Sequence, residues 1–148
     1  MILDNSEWFL LGASFILFLY FITYYLTRRS EGYNLYFAAG CLISIIRTVS
    51  YNLFDVLDKS SIYHALNSKV DHLSFIWGPF LYILLADSLF PRIGGKTVLH
   101  VFLAAEAVLS AFIVFVPIEA FSYYIVFDYV ILACILYASY IFVMALIK

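Results

Sequence analysis

Apolar residues fall in five long blocks along this chain, parted by short polar breaks. The first runs from Trp8 to Leu26 and stops at Thr27-Arg28-Arg29-Ser30-Glu31-Gly32. The second spans 33–54. A polar stretch, 55–67, follows as the longest loop, and Ser60 or Ser61 is suited to cap a short interfacial helix within it. The third block covers 70–90 and ends at Pro91-Arg92-Ile93-Gly94-Gly95-Lys96, where Pro and Gly break the pattern. The fourth covers 97–116 and is stopped by Pro117; the fifth covers 121–147. Each is long enough, at about 1.5 Å per residue, to cross a hydrocarbon core of about 30 Å. Short alternating segments, which a membrane barrel needs, are missing, so each block is predicted to be a helix.

Composition makes lipid the expected solvent. The chain is 66% hydrophobic and 12% charged, against roughly 45–50% and about 25% in globular domains. The predicted fold class is an all-α polytopic transmembrane helical bundle with five spans, forming a single transmembrane domain over residues 1–148. The net charge of −2 and the scattering of basic residues in ones and twos exclude nucleic acid as a partner. The first block has an acidic flank, Asp4-Asn5-Ser6-Glu7, and no cleavage site after it, so it is expected to stay as a span rather than be removed as a signal peptide. Asp4 and Glu7 stand at capping-box spacing for its start.

Lysine and arginine set the expected orientation. Arg28, Arg29, Arg92, Lys96 and Lys148 gather at one side, and only Lys59 and Lys69 at the other, among Asp4, Glu7, Asp55, Asp58, Asp71 and Glu119. The positive-inside rule puts the first group in the cytoplasm. The amino terminus is then outside and the carboxy terminus inside, as five crossings require. Trp8, Tyr123-Tyr124, Tyr24-Tyr25 and Tyr33 fall at span edges, where amphipathic rings form interfacial belts.

Four ionisable groups fall inside spans: Arg47, Asp87, Glu106 and Asp128. Such groups face the bundle interior and find partners. Arg47 lies about 21 Å from the inner end of its span, Asp128 roughly 10–12 Å below the outer end of the fifth, and Glu106 near mid-membrane. Arg47 is therefore expected to pair with Asp128, and with Glu106 as a further candidate, as a structural ion pair or a switch. Asp87 lies near the inner edge and reaches headgroups. Lys69, Asp71 and His72 are candidates for the ligand side of the outer loop. With His64 they form a rim, and a metal site would need three well-placed ligands; no metal or cofactor is expected. Gly78 and Pro79 mark a possible hinge in the third span. Cys41 and Cys134 sit in apolar blocks as small apolar residues. Ser44, Ser110 and Ser139 suit helix packing, since no base accompanies them as a hydrolase requires; the chain is expected not to be an enzyme.

The order of several short motifs resembles a known family. They are Asn34-Leu35-Tyr36-Phe37 and Ile46-Arg47-Thr48 in the second span, Lys69-Val70-Asp71-His72-Leu73 and Leu89-Phe90-Pro91 at the ends of the third, and Val116-Pro117 with Ser122-Tyr123 before the fifth. The chain looks like the membrane region of bacterial seven-transmembrane receptors with diverse intracellular signalling modules. That resemblance implies a sensor-transducer in the bacterial inner membrane. Its implied partners are the lipid bilayer, an extracellular ligand or sensory domain, and a cytoplasmic output of kinase or cyclase type, with a homo-oligomer as a further option. The chain departs from the family in having five spans rather than seven, and its end at Lys148 reads as a truncation. Gly78-Pro79-Phe80-Leu81-Tyr82 with His100 is similar, more weakly, to the membrane halves of bacterial regulators that carry a DNA-binding domain. The rival classes are a small transport or channel component with a polar path, and a membrane scaffold for partner proteins.

Overall fold

A computed structural model describes residues 5–56, 61–117 and 126–147. They form five helices: α1 (Asn5–Thr27), α2 (Tyr33–Val56), α3 (Ser61–Leu89), α4 (Lys96–Phe115) and α5 (Val126–Ile147). Four are long and apolar enough to cross a membrane, over Ser6–Thr27, Tyr63–Leu89, Lys96–Phe115 and Phe127–Ile147. The fifth, α2, is long enough, but Asn34, Ser44, Arg47, Ser50 and Asn52 dilute its apolar run.

The breaks follow local chemistry. α1 closes with the Arg28 N–H donating to the Tyr24 carbonyl, and the next turn with Glu31 N–H on Arg28. α3 stops where Pro91 disfavours helical geometry in Phe90. α4 ends with the Val116 N–H on the Phe112 carbonyl and Pro117 next. The stretch expected as the longest loop, 55–67, is helical from Ser61, and Ser61–Leu89 is one continuous helix that leads into the third apolar block. Its polar first half lacks Gly and Pro before residue 78, and its side chains bond back within the helix. The Ser74 hydroxyl donates to the Asp71 carbonyl, and His72 Nδ1 meets the Ser68 carbonyl at 2.7 Å.

The chain divides into two compact units, Met1–Ser74 and Phe75–Lys148. In the first, α1 packs along α2, with Phe21 stacked on Phe37 at 4.8 Å between ring centres. In the second, the core is Ile83 and Ala86 of α3 with Cys134, Ala138 and Ile141 of α5. The α5 residues recur at spacings of four and three, one face of a helix. Phe90, Leu99, Phe102, Tyr137 and Phe142 pack around them. Other large apolar side chains point outward: Phe115 is 84% exposed and Leu146 88%. Water would penalise that surface at roughly 25 cal/mol per Å², whereas lipid does not.

Candidate functional site

Two polar constellations are built into the apolar helices, one in each unit. In the first unit, Arg47 lies on α2 and Asp71 on α3. Arg47 Nε donates to Asp71 Oδ1 at 2.8 Å, with the side chains 48% and 43% exposed. Arg47 precedes the end of α2 at Val56 by nine residues, and Asp71 follows the start of α3 at Ser61 by ten. The bond therefore joins the two helices at matching heights. Nearby on α2, Asn52 is satisfied within its own helix, its Nδ2 donating to the Thr48 carbonyl at 2.8 Å.

In the second unit the inner face of α4 carries Glu106, Ser110 and Ile113 at spacings of four and three. Only Glu106 and Ile113 of this helix are fully buried. Cys134 of α5 directs its thiol at Glu106 Oε1 over 3.8 Å, a long sulfur contact. The other oxygen, Oε2, is buried with no hydrogen-bond partner among the described residues. One turn along, Trp77 of α3 donates its indole N–H to Ser110 Oγ at 2.9 Å. Ser110 thus ties α4 to α3, and Glu106 meets α5.

A third cluster closes the α1–α2 turn. The Tyr33 hydroxyl donates to Glu31 Oε2, Asn34 Nδ2 donates to the same oxygen at 3.3 Å, and Arg28 stands 3.6 Å from Oε1. Arg28 also lies over the Tyr24 ring at 5.4 Å. The Tyr33 hydrogen bond above all, then Asn34 and Arg28, hold the half-buried Glu31 carboxyl below its ordinary range.

Arg47 reaches Asp71, a carboxylate assigned above to the outer rim, so a switch candidate and a ligand-side candidate form one site. Glu106 and Asp128 belong to the other unit. Asp128 is exposed on α5. Lys69 and His72 are half-buried on α3, beside Asp71 in sequence. Among the described residues no three His, Cys, Asp or Glu side chains converge as a metal site. Gly78 and Pro79 lie inside helix, with open space where a Gly78 side chain would point. Asp87 is half-buried rather than reaching freely outward, and packs so closely on Gly94 that a side chain there would collide with its carboxylate. Tyr123-Tyr124, Glu119, Lys59 and Lys148 lie outside the described residues.

Ser110 takes the helix-packing role that sequence reasoning gave it; that reasoning missed its partner Trp77, for which no spacing gave a signal, and the contact of Cys134 with Glu106. Cys134 gave none, because a cysteine in an apolar block is usually an apolar filler.

Comparison with known proteins finds no family model, no curated protein and no solved structure that matches this chain.

Proposed function

We propose that this chain is the membrane-embedded sensor-transducer module of a bacterial inner-membrane receptor, with its amino terminus outside and its carboxy terminus in the cytoplasm. It relays an outer event, at the 55–71 region or in an extracellular sensory domain, to a cytoplasmic output of kinase or cyclase type. The observation that carries this reading is α3. One uninterrupted helix supplies Asp71 to the ion pair of the first unit, and Trp77, Ile83 and Ala86 to the second. Gly78-Pro79 follows just after the boundary between the units. A proline lacks the N–H that would lock the helix at that point, so bending there is cheap. A transducer needs two states of such an element that interact differently with the signal.

The test places spin labels at Tyr63 and Leu89, both exposed on α3, in a chain whose Cys41 and Cys134 are replaced by Ala, and reads their separation in lipid nanodiscs. Two distances are expected, with populations that shift in Arg47→Ala. One unchanging distance in both proteins would defeat the proposal.

A second reading has one observation in its favour. Glu106 is a fully buried carboxyl with an oxygen left unpartnered among the described residues, and intramembrane carboxyls often mark ion or proton paths. As a small transport component the chain would carry flux in liposomes that Glu106→Gln abolishes.

A further inference from the structure

A groove of about 370 Å³ runs along the last turns of α1. Leu19, Thr23 and Thr27 form one row of its lining at spacings of four, and Tyr20, Tyr24 and Arg28 the row beside it. The concavity follows from size, since short threonines lie next to a column of long side chains. Stacking holds that column upright. The Tyr20 ring lies on Tyr24 at 6.0 Å between centres, and the Arg28 guanidinium lies over Tyr24 at 5.4 Å. The Thr27 hydroxyl donates to the Thr23 carbonyl at 2.8 Å, so it asks for no partner in the groove. Contact with α2 runs instead through Phe21, stacked on Phe37.

The groove changes polarity along its length. The apolar span of α1 ends at Thr27. Leu19 is therefore about 12 Å inside the hydrocarbon, and Arg28 stands at its edge, where headgroups begin. Arg29 is exposed beside Arg28, and Glu31 is the one carboxylate of the turn. Glu31 Oε1 stands 3.6 Å from Arg28 while its other oxygen takes Tyr33 and Asn34, and the Arg28 side chain remains 61% exposed. Two cations against one acid leave the turn positive. An apolar helix packed here would cover Leu19 and Tyr20 and leave Arg28 without an anion. A zwitterionic lipid brings its own cation beside its phosphate. An anionic phospholipid matches both ends.

We propose that this groove holds one anionic phospholipid. Its acyl chain lies along Leu19, Tyr20 and Thr23. Its phosphate sits on the Arg28 guanidinium, whose planar N–H donors suit phosphate oxygens. The site needs α1 in the membrane and is independent of the signalling proposal.

Native mass spectrometry of the full chain tests this, with the protein released from nanodiscs of equimolar phosphatidylcholine and phosphatidylglycerol. The wild type should keep one phosphatidylglycerol in preference to phosphatidylcholine. Arg28→Gln should lower that preference about fivefold. Thr23→Phe, which fills the groove without altering charge, should lower it too. Glu31→Gln removes the competing carboxylate and should raise it, a gain that misfolding would not produce. Lys96→Gln removes an exposed cation at the start of α4, outside the groove, and should change nothing. Glycerol phosphate, which has no chain, should not displace the lipid. Equal retention of the two lipids by the wild type overturns the proposal. So does equal loss in Arg28→Gln and Lys96→Gln, which would mean diffuse surface charge. Displacement by glycerol phosphate would make this a site for free phosphate and overturn it as well, as would a lipid-free dimer that Thr23→Phe abolishes, since a second copy would then fill the groove.

Discussion

At the scale of single residues, two carboxyls in apolar helices differ in how they are satisfied. Asp71 has a guanidinium at 2.8 Å; Glu106 has a thiol at 3.8 Å and one oxygen without a partner among the described residues. A buried polar group without a partner costs about 1–3 kcal/mol. Glu106→Leu is therefore expected to raise stability by about 1 kcal/mol or more, read as the thermal midpoint in nanodiscs. A loss would mean that Oε2 finds a partner in the native membrane, which would strengthen the transport reading. Arg47→Ala should act the other way. The pair is half-exposed, so its loss should fall between the ~0–1 kcal/mol of surface pairs and the ~3–5 kcal/mol of breaking buried ones. A double-mutant cycle with Asp71→Ala isolates the coupling. Glu31 gives a pH signature. Its carboxyl is held low by Tyr33, Asn34 and Arg28, so the folded state binds its proton less readily than the unfolded chain. The stability it contributes is complete above the unfolded value and is lost as pH falls through the lowered folded value. The difference in midpoint between wild type and Glu31→Gln should accordingly shrink on the acid side, below the ordinary glutamate range. A difference that stays constant as pH falls through and below that range would remove the turn cluster from the account.

At the scale of elements, α3 is the least ordinary helix. Its first half is polar enough for a loop, yet it is helical from Ser61 onward, since Ser, His and Asn there can bond back to the backbone a turn away. Its second half contains a proline that most soluble helices would reject. Pro79→Ala restores a backbone donor at that position, so amide hydrogen exchange over about residues 76–80 should slow in lipid. Equal exchange in the two proteins would mean that the helix is already as rigid at Pro79 as elsewhere, and the hinge would have no basis. In α5, Cys134, Ala138 and Ile141 mark the packed face, while Leu132, Leu136 and Tyr140 are exposed. Alanine at 138 leaves room for neighbouring helices. Ala138→Leu should overpack the core by about 1–3 kcal/mol, whereas Leu136→Ala on the exposed side should change stability little.

At the scale of the whole molecule, the outward apolar surface is stable only if lipid surrounds the helices. Extraction into a detergent too short to cover that surface should aggregate the protein without first melting its helices, as circular dichroism would show. A chain that stays monodisperse in buffer without detergent would contradict membrane insertion itself.

The sequence alone determined the helices and several of their ends, though not the start of α3. Block length, Pro91, Pro117 and the Thr27–Gly32 break act through local backbone chemistry, which needs no distant contact to read. It also marked Arg47 and Glu106 as unusual, because a charge in an apolar block is visible as a pattern. It did not determine which charges meet. Arg47 was expected against Asp128, and the bond it makes to Asp71 depends on how α2 and α3 turn about their axes. It did not show which side of α5 is inside, since that helix is apolar all round and no periodic stripe marks a core face. Nor did it show that Cys134 and not a cation would face Glu106. In water the hydrophobic effect writes the buried face into the sequence; in lipid both faces are apolar, so only packing between helices chooses one.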